Sequence, residues 1–358
     1  LSNKPRQEGG SDTQCVHAPL TVSVIVPALN AERSLPAVLR AIRASDREII
    51  EIIVSDDGST DATARVAGDA GATVVRNAGS PEGPGAARNR AVKCARGDIV
   101  AFVDADVIVH PAALGRLVNE IAAADDIWAA FGSYDDSPPG NNLAARYANL
   151  RHHFVHHNGR PEAGTFWAGI GAFRRERFIA LGGFDGRFGP PSIEDVELGI
   201  RAKAAGGRIR LVPSAQGAHL KDWTIRQLWR TDILCRAMPW TRMVVRRKSI
   251  GNDLNLAGRE RWSAVFAYLS LFTLLAIPFW SWAAAGLLAS LAVYGWLNRG
   301  ILRLMHRRGG VPLLLTGLGL HLAYHMYSSA TFALVSIACA LIPRVAAPLP
   351  MDHQLRKS

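Results

Sequence analysis

Over the first hundred residues, short apolar runs alternate with stretches in which apolar residues recur every three or four positions. Thr21-Val22-Ser23-Val24-Ile25-Val26 alternates and then runs apolar, as a first strand would, and Pro27 is expected to end it. A helix opening at Asn30-Ala31-Glu32 would carry Leu35, Val38, Leu39 and Ile42 on one face. Ile49–Val54 predicts a second strand, and Thr60 or Asp61 can cap a following helix that ends at Gly71. Ala72–Val75 is a short third strand and Ile99–Val103 a fourth. Strands alternating with helices in this way predict a doubly wound parallel α/β sheet.

The fourth run, Ile-Val-Ala-Phe-Val, is apolar enough for a strand buried on both faces, and it ends in Asp104-Ala105-Asp106. Ligands of open α/β sheets bind beyond the carboxyl ends of the strands. Two carboxylates there suit a hard divalent cation that keeps free positions for phosphate oxygens. A second acidic pair, Asp56-Asp57, follows the second strand. Between them, Gly79–Gly85 leads into a helix with Arg88 and Arg90 in its early turns, a place to receive an anionic group. The glycines follow neither the dinucleotide nor the P-loop spacing.

Composition adds a second region. No Asp, Glu, Lys or Arg occurs from Ser263 to Asn298 or from Val311 to Pro343. Each run exceeds the roughly 20 residues that cross a bilayer as a helix. Ile277-Pro278 breaks the first run into a helical hairpin. The second is either one crossing after an interfacial segment or another hairpin. The formal net charge of +11 gathers beside these runs, at Arg242, Arg246, Arg247, Lys248, Arg259 and Arg261 before the first and at Arg299, Arg303, Arg307 and Arg308 after it. That placement favours anionic lipid over nucleic acid and puts the flanks on the cytoplasmic side of an inner membrane. Residues 1–19 are polar without a signal-peptide core, and the four scattered cysteines suit a reducing cytoplasm.

Ser23–Glu32, Asp56-Asp57-Gly58-Ser59-Thr60-Asp61, Gly85-Ala86-Ala87-Arg88-Asn89 and Asp104-Ala105-Asp106, in this order and at these intervals, resemble the nucleotide half of the family-2 glycosyltransferases. With residues 164–206 the resemblance spans roughly residues 20–220. It implies a GT-A type, Rossmann-like doubly wound mixed sheet, here followed by an all-α membrane region. It also implies a nucleotide-sugar donor, UDP- or GDP-linked, with Mg or Mn on its diphosphate. Donor contacts would fall on Pro27, Asn30, Glu32, Asp56, Asp57, Arg88, Asp104, Gly171 and Arg230. Asp104 and Asp106 would hold the metal. His219, at another strand end, is a third metal ligand, a diphosphate contact or simply a structural histidine. Glu194-Asp195, at the start of a helix with apolar contacts from Val196, Leu198 and Ile200, resembles the family's base motif. Asp195 is then the catalytic base and Glu194 positions it. Trp167 is either an acceptor surface or core.

The boundaries expected are a polar tail (1–19), a catalytic domain (20–222, nucleotide half about 20–110, acceptor half about 111–222), an amphipathic basic region (223–262), transmembrane helices (263–343) and a C-terminal tail (344–358). Gln227 and Arg230 match a motif of processive synthases, but Thr231 stands where a tryptophan belongs. The reading is therefore single transfer to a lipid or lipid-linked acceptor, with inversion at the anomeric carbon. A processive polysaccharide synthase and a non-catalytic nucleotide-sugar-binding scaffold are the alternatives. His152, His153, His156 and His157 share a helix face but lack the glutamate of a zinc protease.

Overall fold

The computed structural model describes residues 19–188, 191–247 and 258–342. Nearly all of the expected N-terminal tail, the whole C-terminal tail, Gly189-Pro190 and Lys248 lie outside the described residues.

β1 (Val22–Ala28), α1 (Leu35–Arg43), β2 (Glu51–Asp56), α2 (Thr63–Asp69), β3 (Thr73–Arg76), α3 (Pro84–Val92) and β4 (Ile99–Val103) follow the expected alternation. Pro27 does not end β1; it lies inside the strand opposite Ser55. The first helix begins later than expected, at Leu35, because Asn30 takes a left-handed conformation (φ 51°) that no helix accommodates. The chain continues through β5 (Val107–Val109), α4 (Ala113–Ala122), β6 (Ile127–Tyr134), α5 (Leu143–His157), β7 (Ile170–Arg174), α6 (Arg175–Ala180), α7 (Glu194–Ala204) and β8 (Arg208–His219).

All eight strands join one sheet in the order β3-β2-β1-β4-β7-β6-β8-β5. The first four are parallel, whereas β7 runs antiparallel to both β4 and β6. The sheet is therefore mixed. Side chains of β1 and β4 alternate between two cores, as a strand buried on both faces must. Val22, Val24, Val26, Ile99, Ala101 and Val103 pack with α1 and α4; Ile25, Val100 and Phe102 pack with α3, α6 and α7.

Beyond β8 come α8 (Ile225–Arg230), a π-helix (Thr231–Ala237), α9 (Met238–Arg247), α10 (Gly258–Ala276), α11 (Ala283–Leu297) and α12 (Arg299–Leu341). α10 and α11 form the hairpin expected from Ile277-Pro278. The second uncharged run is one helix, α12, in which Gly310 (φ 63°, ψ −158°) and Pro312 set a break after the basic first turns. Among the described residues α12 alone is long and apolar enough to cross a membrane by length and composition, and α11 is a shorter apolar helix. A third core joins α8 and α12 to α5 through Tyr147, Leu150, Leu228, Ile301, Met305 and Leu320.

Gly171 sits mid-sheet, opposite Phe102 on one side and Phe131 on the other. A β-carbon there would lie 2.5 Å from the Trp167 carbonyl oxygen and 2.6 Å from the Phe166 ring. Gly171→Ala should therefore lose about 1–3 kcal/mol of stability by denaturant titration, the usual cost of overpacking.

Candidate active site

The loops after β1 and β2 are laced together by side chains. Asn30 Oδ1 accepts from the Thr60 amide (2.9 Å), Ser59 Oγ from the Asn30 amide (2.9 Å), and Thr63 Oγ1 from the Ala31 amide (2.8 Å). Glu32 Oε2 accepts from the Ala62 amide at 3.0 Å. The oxygens of Asn30 and Glu32 thus hold the loop that follows Asp56. Asp56 is fully buried at the end of β2; its Oδ1 accepts from the Ser59 amide at 2.9 Å. Arg76 Nε stands 3.2 Å from Oδ2 but out of line, so that oxygen has no hydrogen-bond donor among the described residues. Asp57 differs. Its Oδ2 accepts from the amides of Glu82 (2.9 Å) and Gly83 (2.7 Å), and its Oδ1 from Asn77 Nδ2 (3.3 Å) and Arg90 Nη2 (3.4 Å). It anchors the glycine loop, and Gly83 turns into α3 with φ 100°, a conformation open to glycine.

Arg88, on α3, is only 4% exposed. Its Nη2 donates to Asp104 Oδ1 at 2.6 Å and its Nη1 to Glu194 Oε1 at 3.3 Å, while Phe184 lies under the guanidinium at 5.4 Å. Gly85, one turn earlier, has no β-carbon to meet the Glu194 side chain, which would be 3.3 Å away. Burial works against the charge on Arg88, but Asp104, Glu194 and Asp195 outweigh it and hold its pKa above the usual arginine range. Burial also lifts Asp104 above the usual carboxylate range, with Asp106 adding to the rise and Arg88 opposing it. Asp195 is pushed up to about 7, first by burial and then by Glu194, although its oxygens accept from the Ala168 (3.2 Å) and Val196 (2.8 Å) amides.

β5 turns away from β4 to pair with β8, setting Val107 opposite His219. That register brings His219 Nε2 to 3.5 Å from Asp106 Oδ2. Burial opposes ionisation of Asp106, but His219 and Lys221 overcome it and lower its pKa. His219 stacks on Tyr134 from β6, with centroids 4.3 Å apart and planes within 7°. Tyr134 had no signal in the sequence, since only the β6–β8 pairing puts it there.

The remaining expected residues lie elsewhere. Pro27 and Gly171 are buried within the sheet. Arg230 is exposed at the end of α8, and among the described residues nothing ties it to the acids. Trp167 packs between Tyr134 (5.0 Å) and His152 (4.5 Å). The histidines of α5 pin that helix to β6: His153 Nδ1 donates to the Tyr134 carbonyl and His156 Nδ1 to the Gly132 carbonyl, each at 2.9 Å. Burial lowers His156 to about 4. On α7, Val196 and Ile200 are only partly buried; the helix instead buries Glu197, Leu198, Arg201 and Ala202.

The site thus gathers one cation and acids from α3, the end of β4 and the start of α7. Arg88→Met should leave Asp104 and Glu194 without their shared partner and cost about 3–5 kcal/mol in urea unfolding at pH 7.

Comparison with known proteins bears on this arrangement. The family model for glycosyl transferase family 2 matches residues 23–182. An uncharacterised glycosyltransferase of Mycobacterium tuberculosis is 34% identical over 202 residues, covering 52% of this chain and 81% of the relative. Glucosyl-3-phosphoglycerate synthase of Mycolicibacterium smegmatis is 37% identical over 132 residues, 35% of this chain and 44% of that enzyme. The solved mannosyltransferase of Pyrobaculum calidifontis, in complex with GDP-Man and Mn2+, shares the fold at 21% identity and a TM-score of 0.51, covering 91% of this chain and 88% of its own. With the family model matched and four-fifths of a 34% identical relative's length aligned to it, the chain belongs to glycosyl transferase family 2.

Proposed function

We propose that this glycosyltransferase moves a sugar from a nucleoside diphosphate to a lipid or lipid-linked acceptor, with inversion and with a divalent cation, Mg or Mn. The observation that carries the reading is the convergence of Asp104, Glu194 and Asp195 around Arg88, with Asp106 and His219 adjoining at the ends of β4 and β8. The solved mannosyltransferase of similar fold binds GDP-Man and Mn2+, which supports a nucleotide-sugar donor and a cation here.

Among the described residues no group of three or more His, Cys, Asp or Glu is placed to hold a metal by itself. Asp106 and His219 lie together, and Asp104 gives one oxygen to Arg88. Such a set does not make a closed protein cage; it fits an oxygen-loving cation whose remaining positions are completed by substrate phosphates. Asp104, Asp106 and His219 would hold it. When bound, it supplies positive charge to the leaving diphosphate. On the nucleotide side, the buried Asp56 carboxylate has an oxygen left to accept from the base.

On the acceptor side, Asp195 takes the hydroxyl proton. A carboxyl pushed up to about 7 is well matched to that task near neutral pH. The Ala168 and Val196 amides orient it, and Glu194 lifts it while remaining tied to Arg88. Attack from the face opposite the leaving diphosphate inverts the anomeric carbon.

A lipid acceptor is supported by the helical region. Phe272, Leu275, Trp282, Leu288 and Trp296 on and between α10 and α11 are 63–70% exposed. Leu315, Leu334 and Leu341 of α12 are also exposed. A water-facing surface of this kind is unusual, whereas a bilayer would cover it. Arg299, Arg303, Arg307 and Arg308 precede the Gly310 break, where anionic head groups would meet them.

A screen of UDP- and GDP-sugars with Mg and Mn tests the chemistry. Asp106→Ala should abolish metal-dependent transfer, and Asp195→Asn should keep nucleotide binding while lowering kcat by about 10²–10⁴-fold. Metal-dependent transfer surviving in Asp106→Ala removes the metal assignment. With a radiolabelled donor and native membranes, label should partition into the lipid extract; label confined to the aqueous phase removes the lipid acceptor.

A further inference from the structure

The seven residues Thr231–Ala237 are wound as a π-helix, a form found mostly as single turns at functional sites. The Ser192 hydroxyl reaches this π-helix, donating to Cys235 O at 3.0 Å. Ser192 lies two residues before Glu194, and its amide donates to Glu194 Oε2 at 2.9 Å. The other Glu194 oxygen is the one held by Arg88, which in turn holds Asp104.

On its far side the π-helix is seated by Asp232, which is 4% exposed. Asp232 accepts from Arg151 of α5 (3.0 Å), from Arg236 one turn on (2.9 Å) and from the hydroxyl of Tyr327 on α12 (2.6 Å). Arg151 also lies over the Tyr324 ring at 4.3 Å. Hydrogen bonds therefore tie α12 to Asp232 of the π-helix and, three residues on in the same helix, tie Cys235 to Ser192 and so to Glu194, Arg88 and Asp104.

We infer that Ser192 is a positioning residue: its bond to the Cys235 carbonyl fixes the turn carrying Glu194-Asp195, so that the seat of the π-helix on α5 and α12 sets the orientation of that pair. The inference rests on the reading of Asp195 as the base, with Glu194 its neighbour. It assigns to the helical region a part in the chemical step beyond attachment. A loop hydroxyl on a helix carbonyl is a single adjustable contact, and its loss leaves no charge buried without a partner.

Ser192→Ala in the full-length protein should lower kcat roughly tenfold, about the worth of one hydrogen bond, with donor KM within twofold. Ser192→Thr, which keeps the hydroxyl, should restore it. Asp232→Asn attacks the same route from the opposite end. Added to Ser192→Ala it should cost less than the product of the two single effects. Amide hydrogen exchange supplies a second reading that needs no activity: residues 192–196 should exchange faster in Asp232→Asn as well as in Ser192→Ala. Wild-type kcat in Ser192→Ala, or native exchange of 192–196 in both variants, overturns the inference. A wild-type protein that transfers no sugar overturns the functional reading instead, and the exchange measurement still decides the relay.

Discussion

One buried guanidinium holds the two halves of the catalytic fold in register. Arg88 stands on the first helix after the glycine loop and touches Asp104 from the sheet and Glu194 from the far side of the chain. Removing an ion from water costs several kcal/mol, and a buried pair recovers that only when its hydrogen bonds are well made. Here three acids share one cation, so their charges cannot all be compensated at once. Asp195 is pushed up to about 7, first by its burial and then by the Glu194 charge, with Arg88 opposing. The sign follows. A carboxyl raised above its unfolded value binds more protons folded than unfolded, so its ionisation between about pH 4 and 7 works against folding. Stability is spent where a proton acceptor of neutral pKa is useful, which is common at sites of chemistry.

The chain through β4 was legible because its signals are local. Near-continuous apolar strands, acids at their carboxyl ends and a glycine run before a helix each speak within a dozen residues. The second half was not. β8 runs from Arg208 to His219 but contains Pro213, Ser214 and Gly217, and only its first residues read as a strand. Its partners are β6 and β5, about eighty and a hundred residues earlier, and no local pattern announces them. α5 had no readable face because its buried side carries Asn149, His153 and His156, satisfied by carbonyls of Asp135 and β6 rather than by apolar contact. On α7 a buried Glu197–Arg201 pair takes a place that apolar periodicity gives to Val196 and Ile200; Arg201 also donates to the Leu181 and Gly183 carbonyls.

Site residues divide in the same manner. Asp104, Asp106 and Glu194-Asp195 meet where strand ends and a helix start bring them. Asn30 Oδ1, Glu32 Oε2 and Asp57 Oδ2, on residues expected at the donor, each accept from backbone amides and build the loops around Asp56. Gly171 is needed for close packing of the sheet against the Phe166–Trp167 segment. The π-helix could not be foreseen, because Asp232, which seats it, is bound by Arg151 and Tyr327, 81 and 95 residues away in the chain.

Asp57 carries a consequence for ligand entry. Its carboxylate grips the Glu82 and Gly83 amides, and Arg90 and Asn77 brace the same group. The rim ahead of α3 is thus held in shape by the chain's own contacts. A segment already ordered has little conformational freedom left to surrender, so the entropy that a floppy glycine run would charge against affinity was settled when the chain folded.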